Sequence, residues 1–263
     1  MTVTLVARFP LGRYHATPWD RSVNEGAVEW PPSPWRLLRA FVATWYTRWP
    51  DLPAPVLDGL LEALGDSPMY WASPGHSAHT RHYLPEADHK KGETGATALT
   101  LDPYLSLPPT GDHLLIQWDA ELTAEQRGTL AKLVEQVPYL GRAESACDIR
   151  LLDSDPEPDE TWWRPGVEGA ETARMLTPVR PIRRPIVELT TLEVRKARRT
   201  MPQGTKWVSY GRTADRKVST PPPRRQSAAV TAIRFAVVSD APLRATHGVL
   251  LADEIHRQVT RKL

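Results

Sequence analysis

Hydrophobic periodicity over residues 2 to 152 runs strand, helix, strand, strand, helix, strand. This predicts an α+β fold: a ferredoxin-like (RRM-like) lobe with loop insertions, followed by a basic second lobe. Two further observations frame that reading. One is a sharply marked helix start at Ser33-Pro34, and the other is an abrupt change of charge balance beyond residue 173.

The first strand is read from Val3, Leu5, Ala7 and Phe9 alternating with Thr4, Val6 and Arg8, the period of a half-buried strand, with Gly12 ending it. The loop that follows carries Arg13, Tyr14, His15, Trp19 and Arg21. In Glu29 to Trp45, Ser33 suits the N-cap and Pro34 the first helical position, where a missing N–H costs nothing. Leu38, Phe41, Val42 and Trp45 then recur at helical spacing and face a core, while Arg36 and Arg39, one turn apart, are candidates to grip nucleic acid. A second helix is expected over Pro55 to Leu64, stopped by Gly65.

Ser73 to Thr97 has no apolar period and reads as mostly exposed loop, with Asp88 to Thr97 its most disorder-prone part. Ala98 to Leu107 and His113 to Trp118 read as two strands of a hairpin joined by Pro108-Pro109-Thr110-Gly111. Thr123 to Gln126 is a capping box opening a helix with Leu130, Leu133, Val134 and Val137 on one face, terminated by Pro138. Ser145 to Leu152 is the last strand. The insertion is thus expected between the first helix and the second strand.

Residues 153 to 173 read as an acidic linker between lobes, 174 to 228 as the basic lobe, and 229 to 263 as the strand and helix of a further unit. Ile186 to Thr200 is expected to be helical, Lys206 to Tyr210 a short strand and Pro221-Pro222-Pro223 a stiff linker. A strand and helix alone cannot bury their apolar faces, so either they pack on the first lobe or the polypeptide continues beyond Leu263, and continuation is the expectation.

Charge is unevenly placed. Between Arg174 and Arg225 stand 14 Lys and Arg against 3 Asp and Glu, a net +11 in a chain whose total is +2. Such a segment is the electrostatic footprint of a polyanion partner; the alternative is a solvated basic face. No apolar run approaches the roughly 18 residues that span a bilayer, so no membrane partner is expected. The N-terminus lacks a signal-peptide design, and the lone Cys147 suits a reducing compartment, so a cytoplasmic location is expected.

Within that segment Arg180, Arg183, Arg184, Arg195, Lys196, Arg198, Arg199, Lys206 and Arg212 lie among Trp207 and Tyr210, a mixture suited to phosphates and unpaired bases. Arg13 in the first loop and Arg142 after the glycine of Tyr139-Leu140-Gly141-Arg142 complete the RNA-binding candidates. The Gly141 turn reads equally as a phosphate approach or as a plain helix stop. An aromatic RNP consensus is lacking, so stacking on the sheet face is not indicated. The insertion histidines His76, His79, His82 and His89 match no zinc spacing, and neither a metal nor another cofactor is expected.

Glu29 to Phe41, taken with Arg81-His82-Tyr83-Leu84-Pro85 and Tyr139-Leu140-Gly141-Arg142, resembles a CRISPR-associated family. The similarity is to the N-terminal half of the type I-G (formerly I-U) Cascade subunit. That subunit fuses a crRNA 5′-handle-binding protein, the fifth Cas family of the RAMP superfamily, to a crRNA-processing endoribonuclease, the sixth. It covers about residues 3 to 150 and is weak in the basic segment.

The resemblance implies a RAMP ferredoxin-like protein that caps the crRNA 5′ handle within an antiviral ribonucleoprotein. It also implies contact with the other Cascade backbone and large subunits, and with target DNA only through the complex. The processing activity of that fusion belongs to its C-terminal half, so cleavage by this chain is not expected. Two alternatives stand beside this reading. One is a metal-independent pre-crRNA endoribonuclease with His82 or His79 as base and Tyr83 and Lys90 or Lys91 stabilising charge. The other is a protein-interaction module whose basic segment meets an acidic partner.

Overall fold

In the computed structural model the described residues are 2–21, 25–85, 97–109, 111–213 and Glu254. Apart from Glu254, the expected 229–263 unit lies outside them, as do Pro221-Pro222-Pro223, His89, Lys90 and Lys91.

A mixed α+β architecture with antiparallel sheets is built around the first strand, β1 (Thr2–Arg8). Its alternation holds, but both faces are covered: Val3, Leu5 and Ala7 are buried, and so are Thr4 and Val6. The second cover is the acidic 153–165 segment, tied down where Thr2 donates to Asp155 (2.6 Å) and the Gln117 amide donates to Pro156 O (3.0 Å). The same amide donates to the Thr4 hydroxyl at 3.0 Å, which satisfies the one polar side chain buried on that strand.

The helices follow their local signals. In α1 (Pro34–Arg48) the Ser33 hydroxyl accepts from the Arg36 N–H, and Leu37, Leu38, Phe41, Val42 and Trp45 are buried. α2 spans Ala54–Ala63, and α3 (Ala124–Val134) has both bonds of the Thr123–Gln126 capping box. Each large side chain so buried contributes roughly 1.5–3 kcal/mol.

Strand assignment departs from expectation in the middle of the chain. Met69–Ala72 is itself a strand, β3, and the stretch read as loop forms β4 (His76–Pro85), paired along its whole length with β5 (Thr97–Ser106). The expected β5 hairpin with β6 (Leu114–Asp119) does not form, because β6 pairs with β1 and β3. With β7 (Asp148–Leu151) the main sheet runs in the order β3-β6-β1-β7, all antiparallel. The insertion therefore falls between the second and third strands of this sheet, not before the second. A second sheet runs β2-β5-β4, where β2 is Arg13–Tyr14.

Beyond residue 152 the core continues. Trp162 and Trp163 are buried, and Trp163 exchanges backbone hydrogen bonds with Tyr70 at 2.7 and 3.0 Å. The expected linker is thus a packed segment: two large aromatic side chains would be costly to leave in water. A third sheet, β8-β10-β9 (Arg164–Pro165, Thr205–Arg212 and Glu171–Pro178), places Met175, Leu176 and Tyr210 in the same apolar cluster as β1 and α1. The described residues from Thr2 to Thr213 belong to one compact unit. The helix expected over 186–200 is two short ones, α4 (Arg184–Val187) and α5 (Thr191–Lys196), because Thr190 starts a new capping box with Glu193.

Candidate functional site

An arginine is available to a ligand only if the fold has not already used it, and this fold uses many. Arg36 pairs through Nε with buried Glu29 and donates Nη2 to Thr17 O at 2.8 Å. Arg39 donates Nη1 to Val187 O (2.7 Å) and Leu189 O (2.5 Å), closing the end of α4. Arg180 pairs with Glu62 and Asp66, and Arg184 with Asp58 and Glu188 while lying over the Trp45 ring. Arg212 pairs with Glu171 and covers Trp163. Arg142 pairs with Asp102 at 3.0 Å, and Arg13 sits 4.0 Å above the Tyr104 ring.

Of the two aromatic candidates, Tyr210 is a core side chain, its ring 5.7 Å from that of Tyr70, and burial pushes its hydroxyl pKa up. Trp207 is half-buried beneath Arg174, at 4.7 Å. Of the candidate cations, those that are exposed and form no ion pair among the described residues are Arg183, Arg195, Lys196, Arg198, Arg199 and Lys206.

Four of these share one turn. α5 ends in a Schellman closure: Arg199 N–H donates to Val194 O (3.1 Å) and Arg198 N–H to Arg195 O (2.9 Å). The left-handed position of that closure, usually glycine, is Arg198 at φ +54°. Arg195, Lys196, Arg198 and Arg199 thereby project around one helix end, where cations also suit the macrodipole. The turn is fastened at Thr200, whose carbonyl accepts from Trp19 Nε1 at 3.0 Å.

Trp19 also lines a cleft of 480 Å³ along α1, together with Trp35, Arg36, Arg39, Arg48 and Tyr139. Sequence reasoning nominated Arg36 and Arg39 but not the rings or Arg48. Trp35 and Arg48 stand at the two ends of α1, whereas Trp19 comes from the loop before it and Tyr139 from the turn after α3, segments brought together only by folding.

A second cluster lies at the Gly141 turn. Gly141 has φ +98°, and a Cβ there would stand 2.5 Å from His15 O, so the glycine serves a close backbone approach within the fold. Arg142 N–H donates to that same carbonyl at 2.9 Å. His15 is fully buried, with Nδ1 2.7 Å from Glu144 Oε1. Burial lowers the His15 pKa, only partly opposed by Glu144; the Glu144 carboxyl, despite its own desolvation, is held below its usual range by its backbone N–H and by His15. Nothing in the sequence linked these residues.

Asp102 joins Arg142 to His82 Nε2 at 3.2 Å, and His82 is also 3.0 Å from the Thr80 hydroxyl. His82 and Tyr83, adjacent on β4, lie on opposite faces of the sheet, so the candidate pair does not converge. His76 and His79 are exposed, and no cluster able to hold a metal is present among the described residues. No helix there is long and apolar enough to cross a membrane. No family model matches the chain, and no curated protein matches it.

Proposed function

We propose that this chain is an RNA-binding subunit of a type I CRISPR effector (Cascade) complex that caps the 5′ handle of the crRNA. Its first 152 residues we read as a ferredoxin-like RAMP lobe. The order of the main-sheet strands and their helices, β-αα-β-β-α-β, with the first strand central and the fourth on its outer side, supports that reading. The neighbouring backbone and large subunits of Cascade are the protein partners this role requires, and the cytoplasm is its compartment.

One observation carries the RNA reading: Arg195, Lys196, Arg198 and Arg199 stand exposed and unpaired on a single turn. Elsewhere the fold engages most of its arginines with carboxylates or carbonyls; here the one nearby carboxylate, Glu193, accepts from Thr190 and forms no ion pair with the cluster, which leaves a phosphate-binding surface in waiting. The test is filter binding of a handle-bearing crRNA. Arg198→Glu with Arg199→Glu weakens binding and flattens its salt dependence; unchanged affinity and salt dependence would remove the proposal. Handle-specific cleavage of pre-crRNA that is lost in His82→Ala would replace it with the endoribonuclease reading. No salt-dependent RNA affinity at all would favour the protein-interaction module.

A further inference from the structure

The cleft along α1 has a composition that the basic turn lacks. Its 480 Å³ fall within the roughly 300–1,000 Å³ typical of small-ligand sites. Three aromatic side chains line it: Trp35 from the first turn of α1, Trp19 from the preceding loop and Tyr139 from the turn after α3. Trp35 is 3% exposed, and its Nε1–H has no acceptor among the described residues, a buried donor of the kind that normally finds a partner.

The charged residues lining the cleft are Arg36, Arg39, Arg48 and Glu29. Arg36 and Glu29 compensate each other, which leaves the charges of Arg39 and Arg48 in excess. A matching ligand is flat, carries negative charge beside its ring and offers a hydrogen-bond acceptor. One nucleotide meets all three requirements. Single-stranded RNA is read through unstacked bases splayed onto aromatic side chains while arginines hold the backbone.

Resting on the RNA-binding reading above, we propose that this cleft takes one extruded nucleotide of the bound RNA. Its base lies against Tyr139 and Trp19, and its phosphate lies toward Arg48. Continuity with the phosphate-binding turn follows from Trp19, which lines the cleft and holds Thr200 through its Nε1. The turn supplies affinity along the backbone, and the cleft fixes the register of the strand.

The experiment uses the whole chain and handle-bearing single-stranded RNA in which each nucleotide in turn is made abasic. In the unaltered protein one position loses about tenfold or more in affinity, the scale of a lost base stack. In Tyr139→Ala, affinity for intact RNA falls by a similar factor and the sensitivity at that position disappears, whereas Tyr139→Phe retains both. Tyr139 is 44% exposed, so its truncation leaves the core in place; thermal melting of each variant checks this. RNA binding that persists with an abasic profile identical in the unaltered protein and Tyr139→Ala overturns the cleft assignment and leaves RNA binding standing. Failure of the unaltered protein to bind RNA overturns both.

Discussion

Replacing Arg198 by glycine separates stability from RNA affinity, because the two respond in opposite directions. Arg198 occupies the left-handed position of the α5 closure at φ +54°. Glycine adopts this conformation without the Cβ penalty, so Arg198→Gly stabilises the folded unit by about 1 kcal/mol. In a unit of this size that raises the melting temperature by roughly 2–4 °C. The same substitution removes one of the four unpaired cations of the turn. If each neutralises one phosphate of single-stranded RNA, log K falls with log salt at a slope near −0.7 per contact. Four contacts give about −2.8, and three give about −2.1. Raising salt from about 50 to about 200 mM then costs, through the turn alone, roughly 50-fold in the unaltered protein and roughly 18-fold in Arg198→Gly. Arg180→Ala, which removes a cation already paired with Glu62 and Asp66, leaves the slope unchanged. A melting temperature and a salt slope that move together, or a slope unaffected by Arg198→Gly, would refute the reasoning.

Other consequences are sharper for the fold. Phe41→Ala, at a fully buried position on α1, costs about 3–5 kcal/mol in urea unfolding. Gly141→Ala combines left-handed strain with a 2.5 Å approach to His15 O and costs at least about 1 kcal/mol, read the same way. Burial pushes the Cys147 thiol up to about 12, so a thiol reagent at mildly alkaline pH modifies it only after unfolding. His15 has a folded pKa below its ordinary 6.5, so the unfolded chain binds more protons below that value. Stability is complete above about pH 6.5 and declines as pH falls beneath it, and His15→Asn flattens that decline. Urea titrations at several pH values, kept above the carboxylate range so that Glu144 stays ionised, measure it.

What could be read in the sequence was set by how far apart the interacting residues stand. Ser33 with Arg36 and Thr123 with Gln126 are three residues apart, and both caps were legible. The β4–β5 pairing was not. β4 is held by its backbone ladder and leaves Ser77, His79, Arg81 and Tyr83 exposed, so it carries no apolar period. β5 and β6 resemble a hairpin because a Pro-Pro turn separates them, yet each pairs with different strands from earlier in the chain, β5 with β2 and β4, β6 with β1 and β3.

The charge count located the basic segment but could not tell free cations from engaged ones. Arg184 meets Asp58 across 126 positions, and Arg39 meets Leu189 across 150. The cleft was half legible for the same reason: Arg36 and Arg39 share a helix face with one another, but Trp19 and Tyr139 reach it only through tertiary packing.

Ultraviolet cross-linking of the chain to a handle-bearing crRNA, followed by mass spectrometry of the linked peptides, tests the central claim most directly. The account predicts links within residues 195–199 and at Tyr139 or Trp19, suppressed by raised salt. Links confined to other surfaces, or no links at salt low enough for charge pairing, would contradict it.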